Sequence, residues 1–92
     1  MTNVLSGSEQ SSKSSAKFLE EKLFKSRAVT IFGEINDTIA RATTERLLAL
    51  AGESDEPITL YISSPGGHVE SGDVVYDIIK FIRPVVRVVG TG

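Results

Sequence analysis

Three short runs of β-branched and aliphatic residues, each separated from the next by a stretch with helical spacing, leave this chain very few architectures. The runs are Ala28-Val29-Thr30-Ile31-Phe32, Ile58-Thr59-Leu60-Tyr61-Ile62 and Val85-Val86-Arg87-Val88-Val89, and their side chains are of the kind that packs well on a pleated surface. Connections of about twenty residues are too long for hairpins and suit a helix that returns the chain to the same sheet edge. The pattern predicts an α/β fold, a parallel sheet built from right-handed β-α-β units. In the second run large side chains stand at consecutive positions, which predicts a strand covered on both faces.

The segments between the runs carry their own signals. From Ala16 onward, Phe18, Leu19, Leu23 and Phe24 recur among Lys17, Glu20, Glu21, Lys22 and Lys25, predicting a short amphipathic helix that ends near Ser26. Asn36 and Asp37 suit the cap of a second helix over 38–51, with Ile39, Thr43, Leu47, Leu50 and Ala51 on one face and Gly52 as its stop. In the third segment Val74, Ile78 and Ile82, with Val75 and Ile79 beside them, form a stripe closed by Arg83-Pro84. Residues 1–15 contain six serines and few large apolar groups, which predicts a mobile Ser-rich arm ahead of a domain over 16–92. The last run is followed only by Gly90-Thr91-Gly92, where an α/β unit turns into its next helix. The expectation is the incomplete N-terminal portion of a larger domain.

Charge and composition narrow the function. Ten basic and twelve acidic residues give a net charge of -2 with no basic stripe, so nucleic-acid binding through counterion release lacks its charges. The chain has no cysteine, which rules out a disulfide scaffold and a thiolate zinc site and makes the cytoplasm the default location. No stretch is apolar for long enough to span a bilayer. Residues 1–15 lack the basic and apolar regions of a secretory signal. Neither a Walker A loop nor a Gly-x-Gly-x-x-Gly fingerprint occurs, so no nucleotide and no other cofactor is expected. The carboxylates of Glu34, Asp37, Glu45 and Glu70 show no paired spacing for acid–base or metal work and read as a solvated face.

The segment with chemical potential is Ser64-Pro65-Gly66-Gly67, between the second strand and the third helix. Adjacent glycines let the backbone approach a ligand and turn its N–H groups outward, here at the carboxyl end of a parallel strand and near a helix N-terminus. Such a loop suits an oxyanion or anion site; a plain tight turn is the alternative reading. His68 is the only histidine and the obvious candidate base, but Ser63 and Ser64 lie only four or five residues from it and no third orienting group is fixed. It reads as an exposed loop residue. Ser71 and Asp73, at the start of the third helix, read as capping and helix-dipole residues.

Several stretches carry a likeness beyond these general signals. They are Arg27-Ala28-Val29-Thr30-Ile31-Phe32-Gly33-Glu34-Ile35, Ile58-Thr59-Leu60-Tyr61-Ile62-Ser63-Ser64-Pro65-Gly66-Gly67-His68-Val69, Ser71-Gly72, Tyr76-Asp77-Ile78-Ile79 and Phe81-Ile82-Arg83-Pro84. In order and spacing they resemble the proteolytic subunits of the Clp protease, serine peptidases of the crotonase-like fold. The likeness runs from about Phe18 to Gly92. It implies that Gly67 supplies one backbone N–H of the oxyanion hole, that Gly66 shapes the loop, and that Gly66, Gly67, His68 and Val69 border the peptide substrate. It also implies that the nucleophilic serine, the histidine and the aspartate of the triad all fall beyond Gly92, and that His68 is not the catalytic histidine.

The same resemblance implies stacked seven-membered rings, an AAA+ Clp ATPase that unfolds and feeds protein substrates, and docking of that ATPase at Tyr61 and Phe81. Core packing is the alternative for both aromatics. The Ser-rich arm holds the place of the family's axial N-terminal loops without their usual sequence. Two other functions stay open at this stage. One is a short, non-catalytic relative that binds peptide or associates with peptidase rings; the other is a coenzyme A thioester site on the same fold.

Overall fold

A computed structural model of the chain describes residues 7–65 and 69–90. The elements are α1 (Gly7–Lys25), β1 (Ala28–Phe32), α2 (Asp37–Glu53), β2 (Ile58–Ser63), α3 (Val69–Phe81) and β3 (Val86–Gly90). The three strands form one sheet in the order β1-β2-β3, with every pairing parallel. Val29, Leu60 and Val88 align across the sheet, as do Thr30, Tyr61 and Val89. Alternation along each strand therefore puts these two rows on opposite faces. The α/β architecture with parallel strands is the one the sequence pattern predicts.

The core lies between the Val29 face and α2 with α3. Val29 and Ile31 of β1, Ile58 and Leu60 of β2, Ala40, Leu47 and Leu50 of α2, and Val75 of α3 are all buried. Phe24, Ile62, Ile78, Ile79 and Val86 close around them, half-buried. Each fully buried aliphatic side chain contributes about 1.5–3 kcal/mol by leaving water. The opposite face is open: Tyr61 and Val89 are exposed there, so the expected covering of β2 on both sides is not found among the described residues.

At the amino edge of the sheet, Arg27 joins four elements. Its backbone φ is +56°, a left-handed conformation that costs an L-residue on the order of 1–2 kcal/mol. That turn ends α1, with the Arg27 N–H donating to the Phe24 carbonyl at 3.0 Å. The Arg27 carbonyl in turn accepts from the Thr59 N–H at 2.9 Å, just ahead of the β1–β2 ladder. The guanidinium donates to the carbonyls of Leu50 at 3.1 Å, Ser54 at 2.9 Å and Glu56 at 2.9 Å. Those groups lie in and just after the last turn of α2, where carbonyls are short of donors and a cation is favoured by the dipole; the Leu50 carbonyl also accepts from the Ser54 N–H at 3.2 Å.

This clamp corrects the expected end of the second helix. Gly52 does not stop it; α2 continues to Glu53 with Ser54 as its C-cap, because Arg27 supplies donors to that turn. At the other end Asn36 Oδ1 accepts from the Ile39 N–H at 2.9 Å, the expected cap. Gly33 ends β1 as expected, at φ +85°, and its N–H donates to the Ser63 carbonyl at 2.9 Å.

Three further boundaries differ from the pattern reading. The first helix starts at Gly7 instead of Ala16. Ser14 to Lys17 are exposed there, so packing does not hold this part of α1, and Phe18 and Leu19 are exposed as well. In α3 the inward stripe is Ser71 and Val75, buried, with Ile78 and Ile79 half-buried and Ile82 continuing it just past the helix, whereas Val74 is 49% exposed; spacing alone did not fix which of two adjacent valines faced inward. The third strand runs one residue later than its apolar run, with Val85 ahead of it and exposed.

Two outcomes follow from this packing. Replacing Arg27 with Ala removes the part-buried guanidinium bonds to the Leu50 and Ser54 carbonyls and is expected to destabilise the chain by about 2–3 kcal/mol, read by urea unfolding. Arg27→Lys recovers little of it, because a point charge cannot serve several carbonyls at once. Amide exchange is expected to separate α1 from the rest: residues 8–17 exchange within about tenfold of open-peptide rates while Leu47 and Leu50 are strongly protected.

Candidate functional site

In a parallel sheet every strand ends at the same edge, and each helix that follows begins there. In this chain β1 ends at Phe32 and β2 at Ser63, while α2 and α3 begin at Asp37 and Val69. Their N-termini, with unpaired N–H groups and the positive ends of the helix dipoles, therefore gather at the carboxyl edge. The segment that links β2 to α3 carries the two adjacent glycines. Gly66, Gly67 and His68 lie outside the described residues, so the expected oxyanion and substrate-loop roles rest on sequence. The described flanks are Pro65, which is exposed, and Val69, the first residue of α3.

Ser71 is not the cap that its sequence position suggests. It is the third residue of α3, is 2% exposed, and donates its hydroxyl to Asp37 Oδ1 at 2.7 Å. Asp37, read from sequence as part of a solvated face, stands in the first turn of α2 and accepts that bond. A separation of 34 residues leaves no periodic trace, so nothing in the sequence could have paired them. Both residues line a shallow groove between α2 and α3, together with Ala40, Thr44 and Val74. The Thr44 hydroxyl is buried there without a hydrogen-bond partner.

Ser63 and Ser64 sit at the end of β2. Ser63 pairs with Phe32 in the ladder, and its carbonyl accepts from Gly33. Among the described residues no group of three or more His, Cys, Asp or Glu side chains gathers to hold a metal ion. No helix among them is long and apolar enough to cross a membrane. Tyr61, in the middle of β2 on the open face, is 42% exposed, and Phe81, the last residue of α3, is 79% exposed. Neither side chain is packed in the core.

Comparison with known proteins converges on one family. The Clp protease family model matches residues 10–92. The ATP-dependent Clp protease proteolytic subunit 2 of Gluconobacter oxydans is 58% identical over 76 residues, covering 80% of this chain and 34% of that protein. Proteolytic subunit 3 of Rhizobium johnstonii is 54% identical over 76 residues, covering 83% of this chain and 39% of that protein. Among solved structures, ClpP1 from Listeria monocytogenes superposes with a TM-score of 0.76 at 53% identity, covering 80% of this chain and 44% of that one. The chain thus spans about a third of the length of the curated relatives it matches. With its parallel β-α-β units and the Ser-Pro-Gly-Gly loop after the central strand, the chain belongs to the Clp protease family.

Proposed function

We propose that this chain forms the N-terminal part of a serine peptidase subunit that cleaves unfolded proteins fed by an AAA+ Clp ATPase. The feature that carries the proposal is the Ser64-Pro65-Gly66-Gly67 stretch, which stands in sequence between the central parallel strand β2 and α3, in a chain 58% identical to a Clp proteolytic subunit. In this reading the peptide lies along Gly66, Gly67, His68 and Val69. When a serine Oγ attacks the scissile carbonyl carbon, the carbonyl oxygen gains negative charge and accepts a hydrogen bond from the Gly67 N–H. Collapse of that intermediate expels the amine and leaves an acyl-enzyme, which water then hydrolyses. The serine, histidine and aspartate belong to sequence following Gly92, and the 92-residue chain by itself is inactive.

The remaining roles follow from the same reading. Tyr61 and Phe81 dock hydrophobic segments of the ATPase, an assignment supported by the exposure of both rings. The complete subunits stack as two seven-membered rings. A chain without cysteine is compatible with work in the reducing cytoplasm.

A fluorophosphonate serine probe tests the placement of the nucleophile. The expected result is no labelling of the 92-residue chain and one label per full-length subunit; stoichiometric modification of Ser63, Ser64 or Ser71 would overturn it. For the docking residues, Tyr61→Ala and Phe81→Ala in the full-length subunit are expected to weaken ATPase-dependent protein degradation about tenfold or more while hydrolysis of short peptides persists. Each truncation removes a large exposed anchor of the kind that dominates interfaces. Equal loss of both activities would point to folding instead.

A further inference from the structure

A side-chain hydrogen bond joins the first turns of α2 and α3 at the carboxyl edge of the sheet. Ser71 Oγ donates to Asp37 Oδ1 at 2.7 Å. Ser71 is buried on the stripe of α3 that is otherwise aliphatic, with Val75, Ile78, Ile79 and Ile82. A hydroxyl at such a position costs free energy unless it is paired, and alanine would fill it without that requirement. An apolar replacement of both partners can be close to neutral for stability. Stability alone therefore does not account for a buried serine and an aspartate meeting across 34 residues.

The geometry accounts for it better. Asp37 is held in place by the start of α2, where Asn36 caps the helix and the dipole favours a carboxylate. A hydroxyl-to-carboxylate bond is short, directional and about twice as strong as a neutral one. Its donor stands two residues after Val69, in the turn through which the chain enters α3. Hydrophobic packing further along α3 resists its separation from the sheet but is non-directional. We propose that Ser71 and Asp37 are a positioning pair, whose bond sets the height and rotation of the first turn of α3 and with it the backbone of Val69, which in the peptidase reading borders the bound peptide. The inference rests on the peptidase reading and adds to it two residues that touch neither substrate nor nucleophile.

The test uses the full-length subunit that carries this sequence. Ser71→Ala, Asp37→Ala and their double variant are compared with Asp37→Asn, which keeps an acceptor oxygen, in steady-state hydrolysis of a fluorogenic peptide alongside thermal unfolding. Misplacement of a reacting group by about 1 Å costs on the order of 100-fold. Each alanine is accordingly expected to lower kcat about tenfold to 100-fold, with KM changed less than about threefold. The double variant should be no worse than either single one, as coupled partners require, and Asp37→Asn should retain most of kcat. Losses that add up in the double variant, or that match only the unfolded fraction, overturn the inference. If the unmodified subunit hydrolyses no peptide, the peptidase reading has failed, and amide exchange in the 92-residue chain then decides the pair separately. Faster exchange at residues 70–75 in Ser71→Ala, with β1 unchanged, supports positioning; exchange unchanged at both overturns it.

Discussion

Parallel pairing of all three strands is the constraint on which the rest of this structure depends. A strand that must run the same way as its neighbour cannot be reached by a tight turn, so the chain crosses the sheet through α2 and α3. That requirement polarises the molecule. Helices end at the amino edge, where carbonyls lack donors, and begin at the carboxyl edge, where N–H groups lack acceptors. The two edges therefore pose opposite electrostatic problems, and the chain solves each with a different residue.

At the amino edge the solution is cationic. Arg27 sits in a strained left-handed turn, and its guanidinium reaches the carbonyls of Leu50, Ser54 and Glu56. The clamp couples the end of α1, the start of β1, the exit of α2 and the approach to β2, so its side chain is 11% exposed even though its partners are mostly backbone. By contrast, the ion pairs of Arg41 with Glu45 and Arg46 with Glu20 span 3.4 and 3.5 Å between largely exposed side chains and contribute little. At the carboxyl edge the solution is anionic and directional: Asn36 caps α2, and Asp37 receives the Ser71 hydroxyl. One edge thus serves integrity, and the other fixes the starts of α2 and α3.

The faces of the sheet divide in the same way. Val29 and Leu60 are buried under α2 and α3, with Val88 at the end of their row exposed on β3, whereas Tyr61 and Val89 of the other row are exposed. Large aromatic and aliphatic groups on an open face are what an interface requires. In β2 the large residues alternate accordingly: Ile58 and Leu60 enter the core, while Tyr61 is exposed among the described residues. A strand covered on both faces and one with an open face can have the same composition, and only the packing distinguishes them.

Local chemistry determined much of this protein. The strand at Ala28–Phe32, the N-cap at Asn36, the glycine that ends β1 and the parallel α/β order were all legible, because each depends on side-chain shape or hydrogen-bonding capacity within a few residues. The family, too, was legible, since the stretch around Ser64-Pro65-Gly66-Gly67 keeps its order and spacing relative to both neighbouring strands. Only the tertiary structure decided the inward face of α3, the extension of α2 past Gly52 and the meeting of Ser71 with Asp37. Those outcomes depend on groups brought together by the parallel crossovers from some twenty to thirty residues away. The first is a rotation that apolar periodicity leaves ambiguous by one residue; the other two are hydrogen bonds between groups that share an edge of the sheet but no neighbourhood in the chain.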